Sequence, residues 1–400
     1  MRRTKTNFLT PLKWVWRKQT LIGLSIFALL FAICLGLSGI PEGASQQEIA
    51  TAQSASSVSE ILKNPVNAPY KIITFAVTKY SPTVRLVRFV SFLFYALACI
   101  ALFYALRHWH TLQASAITTA AFATNSVVLA TGRLGTPLIA FMGFFVFSSL
   151  ILWQLHSKSN KLVPALVLMA AALFLYTPGV VWFMGILGIF YFNRIKIPYL
   201  NVRKSAVIIG AFLAVLLISP LIMSFVRDSS YLKEWLLIPD RFSLSNILTS
   251  LVNVPAGFIY KMPEYPLINI SQLPVFDLSS GILFLIGLNA YRKKVKLDRT
   301  RLMFVSVIFG FFAGAMGQVI PAIIFLLPFA YSIIAAGIEF LLDEWYSIFP
   351  RNPIARSFGL ILVTLAGIFS IYYQTSRFFV VWPQTPETRA EYRQSRIINN

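Results

Sequence analysis

An all-α polytopic membrane protein of about eleven transmembrane helices follows from three features of the sequence. Apolar, uncharged runs recur along the whole chain of 400 residues, 57% of the side chains are hydrophobic against 12% charged, and the basic residues collect in the short breaks between runs. A soluble domain of this length could not bury that much apolar side chain. The net charge of +21 would suggest nucleic acid in a soluble protein. Its confinement to the breaks instead reports orientation in a bilayer, so the expected location is a cell membrane, multi-pass, with membrane lipid and no nucleic acid as partner. Cys34 and Cys99 both fall inside apolar runs and suggest no disulfide framework, zinc site or catalytic thiol.

The first run, 21–40, follows Arg2, Arg3, Lys5, Lys13, Arg17 and Lys18, which reads as a start-transfer helix with a cytoplasmic N-terminus. A cleaved signal peptide would carry a shorter apolar core and end in a small-residue cleavage site. Further spans are predicted at 89–106, 111–131, 136–155, 162–176, 178–192, 205–226, 278–291, 302–314, 321–342 and 357–374. Two uncharged runs, 162–193 and 302–338, are too long for one ordinary span and barely long enough for two. Each breaks where a turn should be, at Tyr176-Thr177-Pro178-Gly179 and at Gly317-Gln318 with Pro321. With eleven spans the cytoplasmic segments hold 21 of the 35 Lys and Arg, and ten of the 14 acids lie outside. Merging 162–193 alone would move the basic clusters 194–204 and 292–301 to the outside, against the positive-inside rule. One membrane domain, 1–383, therefore carries two larger external loops, 39–88 and 227–277, and a polar external C-terminal tail, 384–400. The second loop, with Trp235, Tyr231, Tyr260 and Tyr265, reads as an interfacial lid or packing loop.

Soluble-enzyme motifs are missing: the chain has no glycine-rich phosphate loop, no His-Glu metal helix and no nucleophile elbow. His108, His110 and His156 stand at cytoplasmic span ends and read as interfacial caps. Glu48 is the sharpest candidate, because a carboxylate close to the membrane surface can act as general base toward an acceptor hydroxyl or amine. Ser45-Gln46-Gln47-Glu48 is equally a capping-box pattern, in which Glu48 returns a bond to the Ser45 amide. Arg85, Arg88 and Arg133 are external arginines that need a counterpart, either the phosphate of a lipid-linked substrate or lipid headgroups. Lys71 and Lys79 lie on an expected surface helix, 68–80, whose Tyr70, Ile73 and Val77 form an apolar face suited to membrane contact. Glu48 with Glu42 or Glu60 could offer oxygen ligands to a divalent ion, but a carboxylate pair is too little to assign a metal.

The order of these features resembles the membrane glycosyltransferases of the GT-C class, especially the dolichyl-phosphate-mannose-protein mannosyltransferase-like branch that includes bacterial aminoarabinose transferases. The residues that carry the resemblance are Pro41-Glu42-Gly43, Gln47-Glu48, Ala68-Pro69-Tyr70 and Arg85-Leu86-Val87-Arg88, with Gly132-Arg133 and Thr136 farther on. The resemblance implies a sugar transferase that uses a polyprenyl-phosphate-linked donor and an acceptor on the extracytoplasmic side. It implies Glu48 as catalytic base, and Arg85, Arg88, Arg133 and Tyr70 as substrate-binding residues. Two positions depart from the family pattern: its leading Asp is Gln47 here, and its later acid is Thr136. Those departures motivate a second reading, a non-catalytic relative that binds lipid-linked sugar or a partner protein. A third, a lipid or sugar transporter, is weakened by the near absence of ionisable residues within the spans, Glu339 apart.

Overall fold

The computed structural model describes residues 39–81, 83–143, 163–189, 204–239, 244–270, 272–292 and 298–392, and every regular element among them is helical. The segment 39–88 opens with three short helices, α1 Gln46–Ser54, α2 Val58–Lys63 and α3 Ala68–Thr78. Ser45 and Ser57 start the first two by accepting from the amides of Glu48 and Glu60, and Pro69 sits in the first turn of the third. The long α4, Val84–Trp109, follows. Next come α5 Leu112–Thr124 and α6 Ser126–Arg133, bent by 61° at Asn125. Asn125 ends one helix and caps the next, its side-chain oxygen accepting from the amides of Val127 and Val128. The span predicted at 111–131 is therefore a bent pair, because an asparagine competes with the backbone for its hydrogen bonds.

A 3-10 turn at Pro137–Gly143 leads out of the described segment. Helices α7 Val163–Phe174 and α8 Val180–Ile189 fall within the spans predicted at 162–176 and 178–192 and are separated by a break at Gly179, φ 73°. The remainder is α9 Lys204–Arg227, α10 Ser229–Leu236, α11 Leu244–Ile259, α12 Leu278–Arg292, α13 Asp298–Ala315, α14 Val319–Ile348 and α15 Pro353–Ser376. A π turn at Arg377–Val381 and a 3-10 turn at Trp382–Gln384 then pass into α16, Pro386–Tyr392.

Four helices are long and apolar enough to cross a membrane, Val84–Trp109, Ser205–Arg227, Val319–Ile348 and Pro353–Gln384, and the bent pair makes a fifth. The other apolar helices, at Ala165–Phe174, Val180–Ile189, Ile247–Ile259 and Thr300–Ala315, are shorter. The described residues thus form a helical membrane protein with four or five helices of spanning length, short of the eleven predicted. The first predicted span, 21–40, and most of 136–155 lie outside the described residues.

Helix α14 is the hub, with 83% of its apolar window buried. It meets α12 backbone to backbone: a Cβ at Gly337 would stand 2.1 Å from the Leu283 carbonyl oxygen, and one at Gly287 would stand 2.0 Å from that of Ile333. Helices α9 and α15 lie at the other extreme, presenting Ile208, Phe212 and Val215, and Ile361, Leu365 and Phe369, to the surroundings.

Two sequence expectations change. Segment 227–277 is not a plain loop, since it contains α10 and α11, and α11 packs on α13 and α14. The predicted surface helix is α3, but Tyr70 and Lys71 are buried while Ile73 and Val77 pack against the core, leaving Ile72 on the outside. Its apolar face meets α4 because a neighbouring helix gives closer packing than a mobile headgroup layer.

Candidate functional site at the first loop

Glu48 sits one turn into α1, where the capping box forms in full: Ser45 Oγ accepts from the Glu48 amide at 3.2 Å, and Glu48 Oε2 accepts from the Ser45 amide at 3.0 Å. The box uses only part of the carboxylate. Oε1 accepts from Arg88 Nε at 2.8 Å and from the Gly135 amide at 2.9 Å, while Arg88 Nη2 reaches Oε2 at 3.2 Å. Arg88 also donates to the carbonyls of Pro41 and Gly43, at 2.9 and 2.6 Å. Glu48 is 2% exposed and Arg88 0%. A bidentate arginine fork with its other hydrogens on carbonyls is the arrangement in which a buried ion pair offsets its desolvation.

A second strand of contacts meets this pair from α3. The buried Tyr70 hydroxyl lies 2.6 Å from Ser91 Oγ, and Ser91 Oγ donates to the Thr136 carbonyl at 3.2 Å. Burial, opposed by the Ser91 bond, raises the Tyr70 pKa. Thr136 is itself buried, and its hydroxyl has no hydrogen-bond partner.

Arg133, the last residue of α6, is fully buried, with its guanidinium 5.1 Å from the centre of the Phe379 ring and 5.8 Å from that of Phe378. Phe378 stacks on Trp382 at 5.1 Å, Trp382 meets Tyr392 edge to face at 5.9 Å, and Arg88 lies 6.0 Å from the Tyr392 ring. An aromatic column from the C-terminal segment therefore stands between two buried arginines. Burial first, then the charge of Glu48, pushes the Tyr392 hydroxyl well above its ordinary pKa.

Glu48, Arg88, Tyr70 and the turn after Arg133, chosen separately from the sequence, meet in one place. Arg85 does not join them; it is exposed on the first turn of α4. Gln47 points elsewhere, its amide nitrogen donating to the Tyr265 hydroxyl at 3.0 Å and so tying segment 39–88 to segment 227–277. Glu42 is exposed, and the half-buried Glu60 bonds Lys63 at 2.5 Å. Among the described residues no group of three or more His, Cys, Asp and Glu could hold a metal ion. His110 lies in a different region, with Nδ1 at 2.6 Å from Glu339. His108 is exposed, and His156 is outside the described residues.

Sequence reasoning missed Ser91, Phe378 and Tyr392. Serine in an apolar helix carries little signal, and the segment from 384 reads as polar because only Thr388 and Tyr392 of α16 face inward. An apolar cavity of about 140 Å³ lies between α11, α12, α13 and α14, lined by Val254, Phe258, Phe284, Met303 and Phe329 among others. A cavity of that order holds a small hydrocarbon group and stays dry.

Fold and site together define a helical membrane protein whose first described loop is anchored on the bundle by a buried acid–arginine pair. No protein-family model matches the chain, and no curated protein matches it. Among solved structures it is similar to the Archaeoglobus fulgidus oligosaccharyltransferase in its apo form, with a TM-score of 0.48 and 13% identity, over 89% of this chain and 56% of that one. The chain thus spans little more than half the length of that structure. At this level of similarity no activity and no residue role passes from that protein to this one.

Proposed function

We propose that this chain is an integral-membrane glycosyltransferase of GT-C type, moving a sugar from a polyprenyl-phosphate-linked donor to an acceptor on the extracytoplasmic side. The observation that carries the reading is convergence: Glu48 in the first loop accepts the Gly135 amide, two residues beyond Arg133. In the transfer step the acceptor O–H or N–H gives its proton to Glu48, the freed lone pair attacks the anomeric carbon, and the bond from that carbon to the phosphate oxygen breaks with inversion. The leaving polyprenyl phosphate takes the electron pair, and its charge is met by arginine. Arg85 is the exposed one of the three arginines and the one open to a phosphate, whereas Arg88 and Arg133 are buried.

The second reading, a non-catalytic relative that binds lipid-linked sugar or a partner protein, has its own observation. Both oxygens of Glu48 are occupied by Ser45, Arg88 and Gly135, so a base role requires one of those bonds to open. Purified protein in lipid nanodiscs, supplied with a polyprenyl-phosphate sugar and membrane acceptors, separates the two by mass spectrometry of the donor. Turnover that disappears in a folded Glu48→Gln variant supports the transferase. Donor bound but never consumed supports the second reading, and turnover unchanged in Glu48→Gln removes Glu48 as base.

A further inference from the structure

The apolar cavity between α11, α12, α13 and α14 has no part in the Glu48 site. None of its lining residues lies on α1, α4 or α6, the helices that carry Glu48, Arg88 and Arg133. It exists because three helices are pegged to α14 separately. Gly287 of α12 faces the Ile333 carbonyl oxygen, Gly310 of α13 faces Leu326, and Gly257 of α11 faces Ile323; a Cβ at these glycines would fall 2.0, 2.4 and 2.6 Å from those neighbours. Helices α12 and α13 both pack on α14 but not along each other. A gap therefore remains between them, lined by Phe284 of α12, Met303 and Val307 of α13, and Phe329 and Ile333 of α14. Because the pegs fix the spacing of the helices, a small shift does not close it.

Pro255 and Ile259 of α11 line the cavity and are also exposed, so it reaches the surface beside that helix. The exposed residues next to its lining on α12 and α13 are Ile282, Leu285, Phe304 and Ile308, all apolar. In a membrane protein such a mouth opens on bilayer hydrocarbon. Water does not enter a space that offers it no polar partner, and an empty space forfeits the dispersion contacts of its walls. A cavity of about 150 Å³ takes up a molecule the size of benzene, so this one, of about 140 Å³, takes roughly the last five or six carbons of a chain. Phe284 and Val307 stand well inside their helices, away from Arg292 and Arg301. What reaches that depth from a phospholipid is the end of an acyl chain and not its headgroup.

We propose that this cavity binds the terminal segment of a phospholipid acyl chain, which enters beside α11 and wedges between α12 and α13 on α14. The bilayer supplies such chains whether or not the protein transfers sugar, and the absence of lining residues from α1, α4 and α6 separates the site from any donor held at Glu48.

The test uses the full chain in phosphatidylcholine nanodiscs containing a small fraction of phosphatidylcholine with a diazirine at the end of one acyl chain. After irradiation, mass spectrometry maps the modified residues. The expected result is labelling of the buried Met303 and Phe258 in addition to the exposed Phe212 and Phe369. A diazirine placed beside the glycerol backbone should leave Met303 and Phe258 unlabelled. Val307→Phe and Ala330→Leu each fill the space and should cut labelling of Met303 and Phe258 at least tenfold, with Phe212 and Phe369 unchanged. If one of the two variants does not fold, the other carries the test. Labelling of Phe212 and Phe369 alone in the wild-type protein would overturn the proposal, as would labelling of Met303 and Phe258 that persists in the filled variants. If a polyprenyl phosphate with a diazirine at its tail end labels Met303 and Phe258 and the phospholipid does not, the occupant is an isoprenoid and the acyl-chain assignment falls.

Discussion

Arg88 shows how much can rest on one side chain. It joins Glu48 of α1, the carbonyls of Pro41 and Gly43 before that helix, and the ring of Tyr392 in α16, all while fully buried. Removing one partner of such a pair leaves the other charged in a place without water, which costs about 3–5 kcal/mol, whereas replacing both with apolar groups of similar size is often near neutral. Arg88→Met alone should therefore lower stability by about 3–5 kcal/mol, and Glu48→Leu combined with Arg88→Met should lower it by less than that. Unfolding midpoints of these two variants and of Glu48→Leu alone, in one detergent, check this. If the double variant loses as much as the two single variants summed, the pair is not coupled and the geometry described here is not what holds the loop. The same cycle bears on chemistry, because an acid that only anchors the loop can be replaced together with its partner, and a general base cannot.

At the scale of elements, one close crossing decides how the hub is packed. Gly287 and Gly337 let α12 and α14 touch through their backbones, with a Cβ at Gly337 predicted to fall 2.1 Å from the Leu283 oxygen. No side chain can rotate out of that clash, because the obstructing atom belongs to the main chain. Gly337→Ala should force the helices apart and cost about 1–3 kcal/mol or more, read as a lower unfolding midpoint. Gly281→Ala, on α12 with open space at its Cβ, should be neutral or slightly stabilising and serves as the control. An equal loss from both substitutions would mean that the crossing is not tight. These crossings also mark the limit of what the sequence displays. The Gly179 and Gly317 breaks and the Ser45 capping box are local signals, and each appears in the structure at the predicted position. The bend at Asn125, the helix α11 and the aromatic column ending in Tyr392 depend on contacts between distant segments. Asn125 looks like any polar residue in a run until its amide nitrogen is seen donating to the Val275 carbonyl, 150 positions away. Glu48 was legible as a cap and as a candidate base, but its partner Arg88 is 40 positions distant, and nothing local pairs the two.

The whole molecule has two polar ends, and antiparallel helices sort the residues between them. At one end Glu48, the Gly135 turn, Asp277, Arg377 and Trp382 gather, with Trp382 Nε1 donating to the Pro266 carbonyl and the Tyr392 hydroxyl donating to that of Leu267. Helix α4 leaves this end at Val84 and arrives at the other at Trp109, where His110 and the Thr111 amide meet Glu339 near the close of α14. Helix α15 starts beside that junction, with the Trp345 indole donating to the Ala355 carbonyl, and returns to the first end at Ser376. Arg107, Arg292, Arg351 and Arg356 all belong to the second end. By the positive-inside rule the second end is expected in the cytoplasm and the Glu48 end on the opposite side. The prediction can be read by thiol labelling in sealed vesicles of known orientation, using a background in which Cys34 and Cys99 are replaced by alanine. A cysteine at exposed Gln53 should react with a membrane-impermeant maleimide only from the extracytoplasmic face, and one at exposed Arg351 only from the cytoplasmic face. Labelling of both positions from the same face would break the two-ended arrangement. Labelling from opposite faces in the reverse sense would keep the fold but place Glu48 in the cytoplasm, and a transferase acting there would draw on a donor presented at the inner leaflet.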